Sequence, residues 1–183
     1  MKPISRAEYT EKDIFLSLLN ACMPDNRRAL ELSLLTGLRI GDCLSIRREG
    51  FAQRMSIRES KTGKIKRISI PTELYERLLV NSGKYYIFEG RLSPKKHRTR
   101  SAVYKDLMRV CKIFRINGKH LAEHISPHSA RKVYAVTLYK KTADIKKVQR
   151  LLNHSNEGVT MLYAMADILT KRHGIKQKEK NDV

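Results

Sequence analysis

No apolar run in the sequence approaches the roughly 20 residues that a membrane-spanning helix needs. The N-terminal stretch, with Glu8, Glu11 and Asp13, lacks the apolar core of a secretory signal. Cysteine is scarce: Cys22, Cys43 and Cys111 stand far apart, form no CxxC pair, and as three cannot all pair internally. A disulfide framework is excluded, and a reducing, cytosolic setting is expected with the cysteines as ordinary buried thiols. There is no Walker A loop, no GxGxxG, no HExxH and no cysteine–histidine zinc spacing. Acidic residues are few, 18 Asp and Glu against 38 Lys and Arg, and do not cluster as a two-metal nuclease requires.

What is present is positive charge, a formal +20 on 183 residues. With 41% hydrophobic and 31% charged residues the chain fits one folded domain able to bury a core. A pI near 10.1 costs self-repulsion, so a polyanionic partner is expected. The basic residues recur from Arg27 to Lys180 instead of gathering on one amphipathic helix. That distribution suits a duplex backbone better than a membrane surface.

Apolar spacing predicts a helix through Ile14, Phe15, Leu18 and Leu19, capped by Thr10, then a second from Asn26 to Leu35 ending at Gly37. A short helical turn is expected from Ile40 to Leu44. Met55 and Ile57 alternate with Ser56 and Arg58, and Ile68 and Ile70 with Ser69. Thr62-Gly63 between them supplies a hairpin turn with Lys61 at its entrance. Further helices are expected from Thr72 to Val80, Ser101 to Phe114, Ser126-Pro127 onward, Ala143 to Leu152 and Glu157 to Met165. Tyr85 to Phe88 reads as a short extended piece, and Ser93 to Arg100 as a basic loop. The fold class is α+β, mostly helical, with a small three-stranded antiparallel sheet on one side. The domain is expected over 1–175, with a polar tail over 176–183.

A DNA enzyme without metal or nucleotide motifs has to neutralise phosphate with fixed cations. In Ser126-Pro127-His128-Ser129-Ala130-Arg131, His128 and Arg131 share one face of a first helical turn, where anions are already favoured. A guanidinium there grips two phosphate oxygens and an imidazole donates to a third. In Thr36-Gly37-Leu38-Arg39-Ile40-Gly41-Asp42, Asp42 can return across one helical turn to orient Arg39. Leu151-Leu152-Asn153-His154-Ser155 ends one helix with a histidine, and Thr160-Met161-Leu162-Tyr163 sets a tyrosine on the next. Each piece alone is compatible with an ordinary surface helix or cap. Tyr134 and Tyr139, both on the helix carrying Arg131, are expected to pack.

As an ordered set, Arg39, Lys61, His128, Arg131, His154 and Tyr163 resemble the catalytic domain of the tyrosine recombinase (phage integrase) family, over about residues 4 to 166. Asn153 departs from that pattern, standing where the family usually has glycine. The additional N-terminal helical domain that most members use to close around DNA has no room in this chain. The resemblance implies that Arg39 and Arg131 bind the scissile phosphate, with hydrogen bonds from His128 and His154. Tyr163 would attack phosphorus to give a 3′-phosphotyrosine, and Lys61 would protonate the departing 5′-oxygen. Asp42 would orient these groups. Lys64, Lys95, Lys96, Arg98 and Arg100 are expected to contact DNA.

No metal, ATP or other cofactor is implied. The expected partner is a double-stranded recombination site, held by a homo-tetramer that is monomeric when free. Accessory DNA-bending proteins and docking of Ala166 to Gly174 on a neighbouring protomer also fit, without a membrane. The setting would be cytoplasmic and nucleoid-associated, of bacterial or phage origin. Two alternatives stay open, a non-cleaving DNA-binding regulator and a type IB topoisomerase.

Overall fold

Helix α2 (Pro24–Thr36) buries Ala29, Leu30, Leu32 and Leu34, and also Asn26, Glu31, Ser33 and Thr36. A helix enclosed on nearly all sides has neighbours on nearly all sides. Around it pack α1 (Lys12–Asn20), α3 (Ile40–Leu44), α4 (Thr72–Val80), α5 (Arg100–Ile113) and α6 (Pro127–Thr142). A last helix, α7 (Ile145–Leu152), contacts α6 and buries Val148 and Leu152 against Ala135. The computed structural model describes residues 10–116, 119–120 and 125–153. The expected helix at 157–165, the docking segment at 166–174 and the tail at 176–183 lie outside them.

Local signals set most boundaries. Pro24 opens α2 at its first turn, and Gly37 closes it at φ +66°. Ser126 caps α6 by accepting the His128 amide (3.2 Å), while Ser129 Oγ accepts the Ser126 amide (3.2 Å). Thr10 does not cap α1; Glu11 holds the N-cap position, and its side chain does not cap the helix. Helix α7 begins two residues later than expected, because the Asp144 carboxylate caps it through the Lys147 amide (2.9 Å).

The hairpin forms as expected. Strand β1 (Arg54–Arg58) pairs antiparallel with β2 (Ile65–Ser69), Arg54 opposite Ser69 and Arg58 opposite Ile65. Gly63 takes φ +68° in the turn, and its amide donates to the Glu59 carbonyl (2.8 Å). The three-stranded sheet needs correction: the described strands form separate two-stranded ladders. The expected extended piece at 85–88 is instead an isolated bridge, Tyr86 opposite Arg47, followed by a turn at 87–88, and it does not join β1 and β2. Arg48 donates its amide to the Tyr85 carbonyl (3.0 Å), and Ile87 donates to Ile46 (3.0 Å). The basic loop is in part a strand, β4 (Ser93–His97), against β3 (Glu89–Gly90). The remaining pair joins β5 (Arg115–Ile116) to β6 (Lys119–His120). Among the described residues no helix is long and apolar enough to cross a membrane.

Candidate active site

Four chain segments far apart in sequence line one cavity of about 780 Å3. The start of α3 contributes Arg39, the hairpin turn Ser60 and Lys61, and the start of α6 His128. Arg100 and Tyr104 from α5 complete its polar wall, and among the described residues no acidic side chain is part of the lining.

Arg39 follows the left-handed Gly37 and occupies the N-cap position of α3, with extended backbone that turns its side chain out of the helix. Its guanidinium lies 2.9 Å from Glu59 Oε2. Arg131 is 0% exposed. It donates from Nη1 to the Gly37 carbonyl (2.5 Å) and from Nη2 to the Leu152 carbonyl, and Nη1 lies 3.5 Å from Glu59 Oε1. Glu59 thus stands between both arginines. Burial raises its pKa, but hydrogen bonds from Thr62 and Arg39 and the two positive charges prevail and hold it below the usual glutamate value.

The reading of Asp42 as Arg39's partner is not what the geometry gives. Its Oδ1 accepts the Ser60 amide (2.9 Å) and hydroxyl (2.7 Å), pinning the hairpin beside Lys61. Lys61 and Lys64 are exposed, so the hairpin carries its lysines into solvent while Asp42 and Glu59 hold its base.

Lys66 sits on the inward face of β2 at 5% exposure. Its ammonium lies 5.5 Å from the centre of the Tyr134 ring and finds no hydrogen-bond acceptor among the described residues. Burial first, then the Arg131 charge, lowers its pKa to about 7. Desolvation and the charges of Arg131, Lys132, Arg39 and Lys61 bring His128 down to about 4, leaving it neutral at pH 7. The Tyr134 ring packs on Gly37, where an added Cβ would lie 2.5 Å from it.

Of the expected cleavage residues, the fold brings together Arg39, Lys61 and His128, with Arg131 joined to Arg39 through Glu59. His154 and Tyr163 lie outside the described residues. Asn153 does lie within them, in the left-handed region at φ 51°, as C-cap of α7. That backbone suits glycine, and asparagine is among the residues that tolerate it best.

The expected DNA contacts divide. Lys95 and Lys96 are exposed on β4, and Arg100 reaches the cavity. Arg98 turns inward instead, its Nε donating to Asn26 Oδ1 (2.6 Å) and Nη1 pairing with Asp25 (2.9 Å). Glu59 and Lys66 escaped the sequence reading although strand alternation carried the signal. Glu59 has the parity of Ile57, and Lys66 that of Ile68 and Ile70, so both face inward.

A basic domain whose cavity collects arginine, lysine and imidazole around a helix N-terminus is built to hold an anion in place. The chain belongs to the phage integrase family, whose sequence profile matches residues 8–168. It is 29% identical over 147 residues to the probable integrase/recombinase YoeC of Bacillus subtilis strain 168, covering 77% of each chain. To a tyrosine recombinase of Pseudothermotoga lettingae it is 30% identical over 156 residues, covering 80% of this chain and 52% of that one. The fold matches XerH site-specific recombinase in a post-cleavage complex on palindromic difH DNA. The TM-score is 0.69 at 18% identity, covering 94% of this chain and 54% of that chain. It also matches the catalytic domain of bacteriophage HP1 integrase, with TM-score 0.63 at 18% identity and coverage of 88% and 89%. The chain spans about three quarters of the length of YoeC and about half that of the Pseudothermotoga recombinase.

Proposed function

We propose that the chain is the catalytic domain, over residues 1–175, of a site-specific DNA recombinase or integrase that cuts and rejoins strands through a 3′-phosphotyrosine. The observation that carries this reading is the meeting of Arg39, Lys61 and His128 around one cavity, with Arg131 tied to Arg39 through Glu59.

Arg39 and Arg131 bind the nonbridging oxygens of the scissile phosphate and stabilise the charge that grows on its pentacoordinate transition state. The Tyr163 oxygen forms a bond to phosphorus as the bond from phosphorus to the 5′-oxygen breaks. Lys61 gives the 5′-oxygen a proton. Tyrosine ionises only near pH 10, so its attack needs cationic surroundings and a base. Neutral His128 is able to take the phenolic proton, and His154 adds a hydrogen bond to the phosphate. The phosphotyrosine keeps the energy of the diester, so rejoining needs neither ATP nor metal. Lys64, Lys95, Lys96 and Arg100 grip the backbone of the duplex site. The working assembly is a tetramer on DNA, with DNA-bending proteins as accessories, and the setting is cytoplasmic and nucleoid-associated, for a protein of bacterial or phage origin.

The test uses a pool of nicked duplexes with randomised centres and a denaturing gel. Wild type is expected to form a covalent protein–DNA adduct, and Tyr163→Phe none. An adduct that persists in Tyr163→Phe overturns the choice of nucleophile. Binding without any adduct would make the chain a non-cleaving regulator. Adducts formed with no preference within the pool, together with relaxation of a supercoiled plasmid, would make it a topoisomerase.

A further inference from the structure

Glu59 has no place in the chemistry just described, yet it contacts both arginines of the site. Its side chain is 0% exposed. One carboxylate oxygen lies 2.9 Å from Arg39, and the other 3.5 Å from Arg131. Thr62 Oγ1, on the far side of Lys61, donates to Oε2 (2.9 Å). Its backbone closes the hairpin turn as well, the amide donating to the Lys64 carbonyl (2.9 Å) and the carbonyl accepting from Gly63 (2.8 Å).

These contacts join three elements that reach the site independently: the start of α3, the interior of α6 and the β1–β2 hairpin. Two guanidiniums on one carboxylate, Arg131 fully buried and Arg39 with its side chain 19% exposed, repel each other where water is scarce. A carboxylate between them offsets that repulsion and fixes the direction of each fork. Because this carboxylate sits two residues before Lys61, moving the hairpin also moves the counter-charge of both arginines.

We propose that Glu59 is a positioning residue for strand cleavage: its buried carboxylate aligns Arg39 and Arg131 and ties their placement to that of the Lys61 hairpin. The inference rests on the cleavage reading given above and adds to it a coupling between phosphate binding and leaving-group protonation.

The experiment uses the full chain and nicked duplexes recovered from the randomised pool as wild-type adducts. DNA affinity and the single-turnover cleavage rate at saturating DNA are measured separately. Glu59→Gln is expected to slow cleavage about 10- to 100-fold while changing affinity less than about 3-fold, the signature of misplaced catalytic groups. Glu59→Asp should recover part of the rate. Replacing the bridging 5′-oxygen by sulfur, a leaving group that needs no proton, should shrink the Glu59→Gln defect without abolishing it. The same substitution should abolish the defect of Lys61→Ala.

Cleavage by Glu59→Gln at the wild-type rate, or a loss confined to affinity or to the folded fraction, overturns the proposal alone. A sulfur effect absent in Glu59→Gln but present in Lys61→Ala overturns the coupling. If Glu59→Gln does not fold, Thr62→Val removes the hydroxyl bond to Glu59 (2.9 Å) along with the longer bond that the hydroxyl accepts from the Lys64 amide (3.4 Å). A slowing of about 2- to 5-fold then supports the proposal, and an unchanged rate overturns it. Wild type that never forms an adduct overturns the cleavage reading, and this one with it.

Discussion

Two arginine–carboxylate clusters among the described residues use the same groups to opposite ends. In the first, at the start of α2, Asp25 pairs with Arg28 and with Arg98 (2.9 Å). Asn26 accepts from Arg98 and donates to Asp106 (2.8 Å). Asp106 also accepts the Met23 amide (2.8 Å) and both Nε and Nη2 of Arg109. Charge and hydrogen bonds nearly balance there, and the cluster ties α2 to α5. In the second, one carboxylate, Glu59, serves two arginines, Lys66 is buried without an acceptor among the described residues, and the cavity wall is cationic. Positive charge left in excess where water is scarce is costly in the free protein and available to an incoming anion. The balanced cluster holds the fold; the unbalanced one is where the proposed reading seats phosphate.

The sharpest test of that contrast is Arg39→Ala. Adduct formation should fall about 100- to 1000-fold in single-turnover assays, as on losing a principal donor to a developing oxyanion, with little change in melting temperature. Gly37→Ala strikes the second cluster through the backbone. A side chain there meets both φ +66° and the Tyr134 ring, so denaturant titration should show a loss of about 2–4 kcal/mol. The Arg131 acceptor would move with it. Asn26→Ala unsettles the first cluster by leaving Arg98 and Asp106 short of a partner. Stability should drop by about 1–3 kcal/mol while cleavage per folded molecule stays within 2-fold of wild type, roughly the cost of an unsatisfied buried group. A large cleavage defect in Asn26→Ala would blur the division between the clusters.

Read per pH unit, the gentlest effect is the pH dependence of Lys66. With its pKa lowered from 10.5 to about 7, the unfolded chain holds a proton between those values that the native state does not. Stability should therefore rise with pH across that window, by at most about 1.4 kcal/mol per pH unit. Lys66→Met should remove that rise, as read from chemical denaturation at several pH values. A variant that keeps the same slope would assign it to another group.

Helix ends were legible because they are written in a few adjacent residues: Pro24 and Gly37 around α2, Ser126-Pro127 ahead of α6, Gly63 in the hairpin turn. The departure at Asn153 resolves in the same local terms, since the position asks for left-handed backbone and asparagine supplies it. The lysine-bearing hairpin was legible from alternation. Arg98 was not: in a basic run it reads like Lys95 and Lys96, and only the approach of α2 supplies the Asp25 and Asn26 that turn it inward. Glu59 and Lys66 were hidden by their own chemistry. A charged residue on a strand reads as solvent-facing until its parity is compared with the isoleucines around it.

Capping, turn and alternation preferences are short-ranged, so the chain itself specified where helices begin and end, which loop bears Lys61 and which side-chain types were at hand for phosphate chemistry. Partner choice is long-ranged. Arg131 finds the Gly37 carbonyl 94 positions away, Asp42 holds Ser60 and not Arg39, and Glu59 lies between two arginines from different helices. Those pairings follow from the way α2, α3, α6 and the hairpin pack, because a buried ion settles on whichever opposite charge the packing brings within reach.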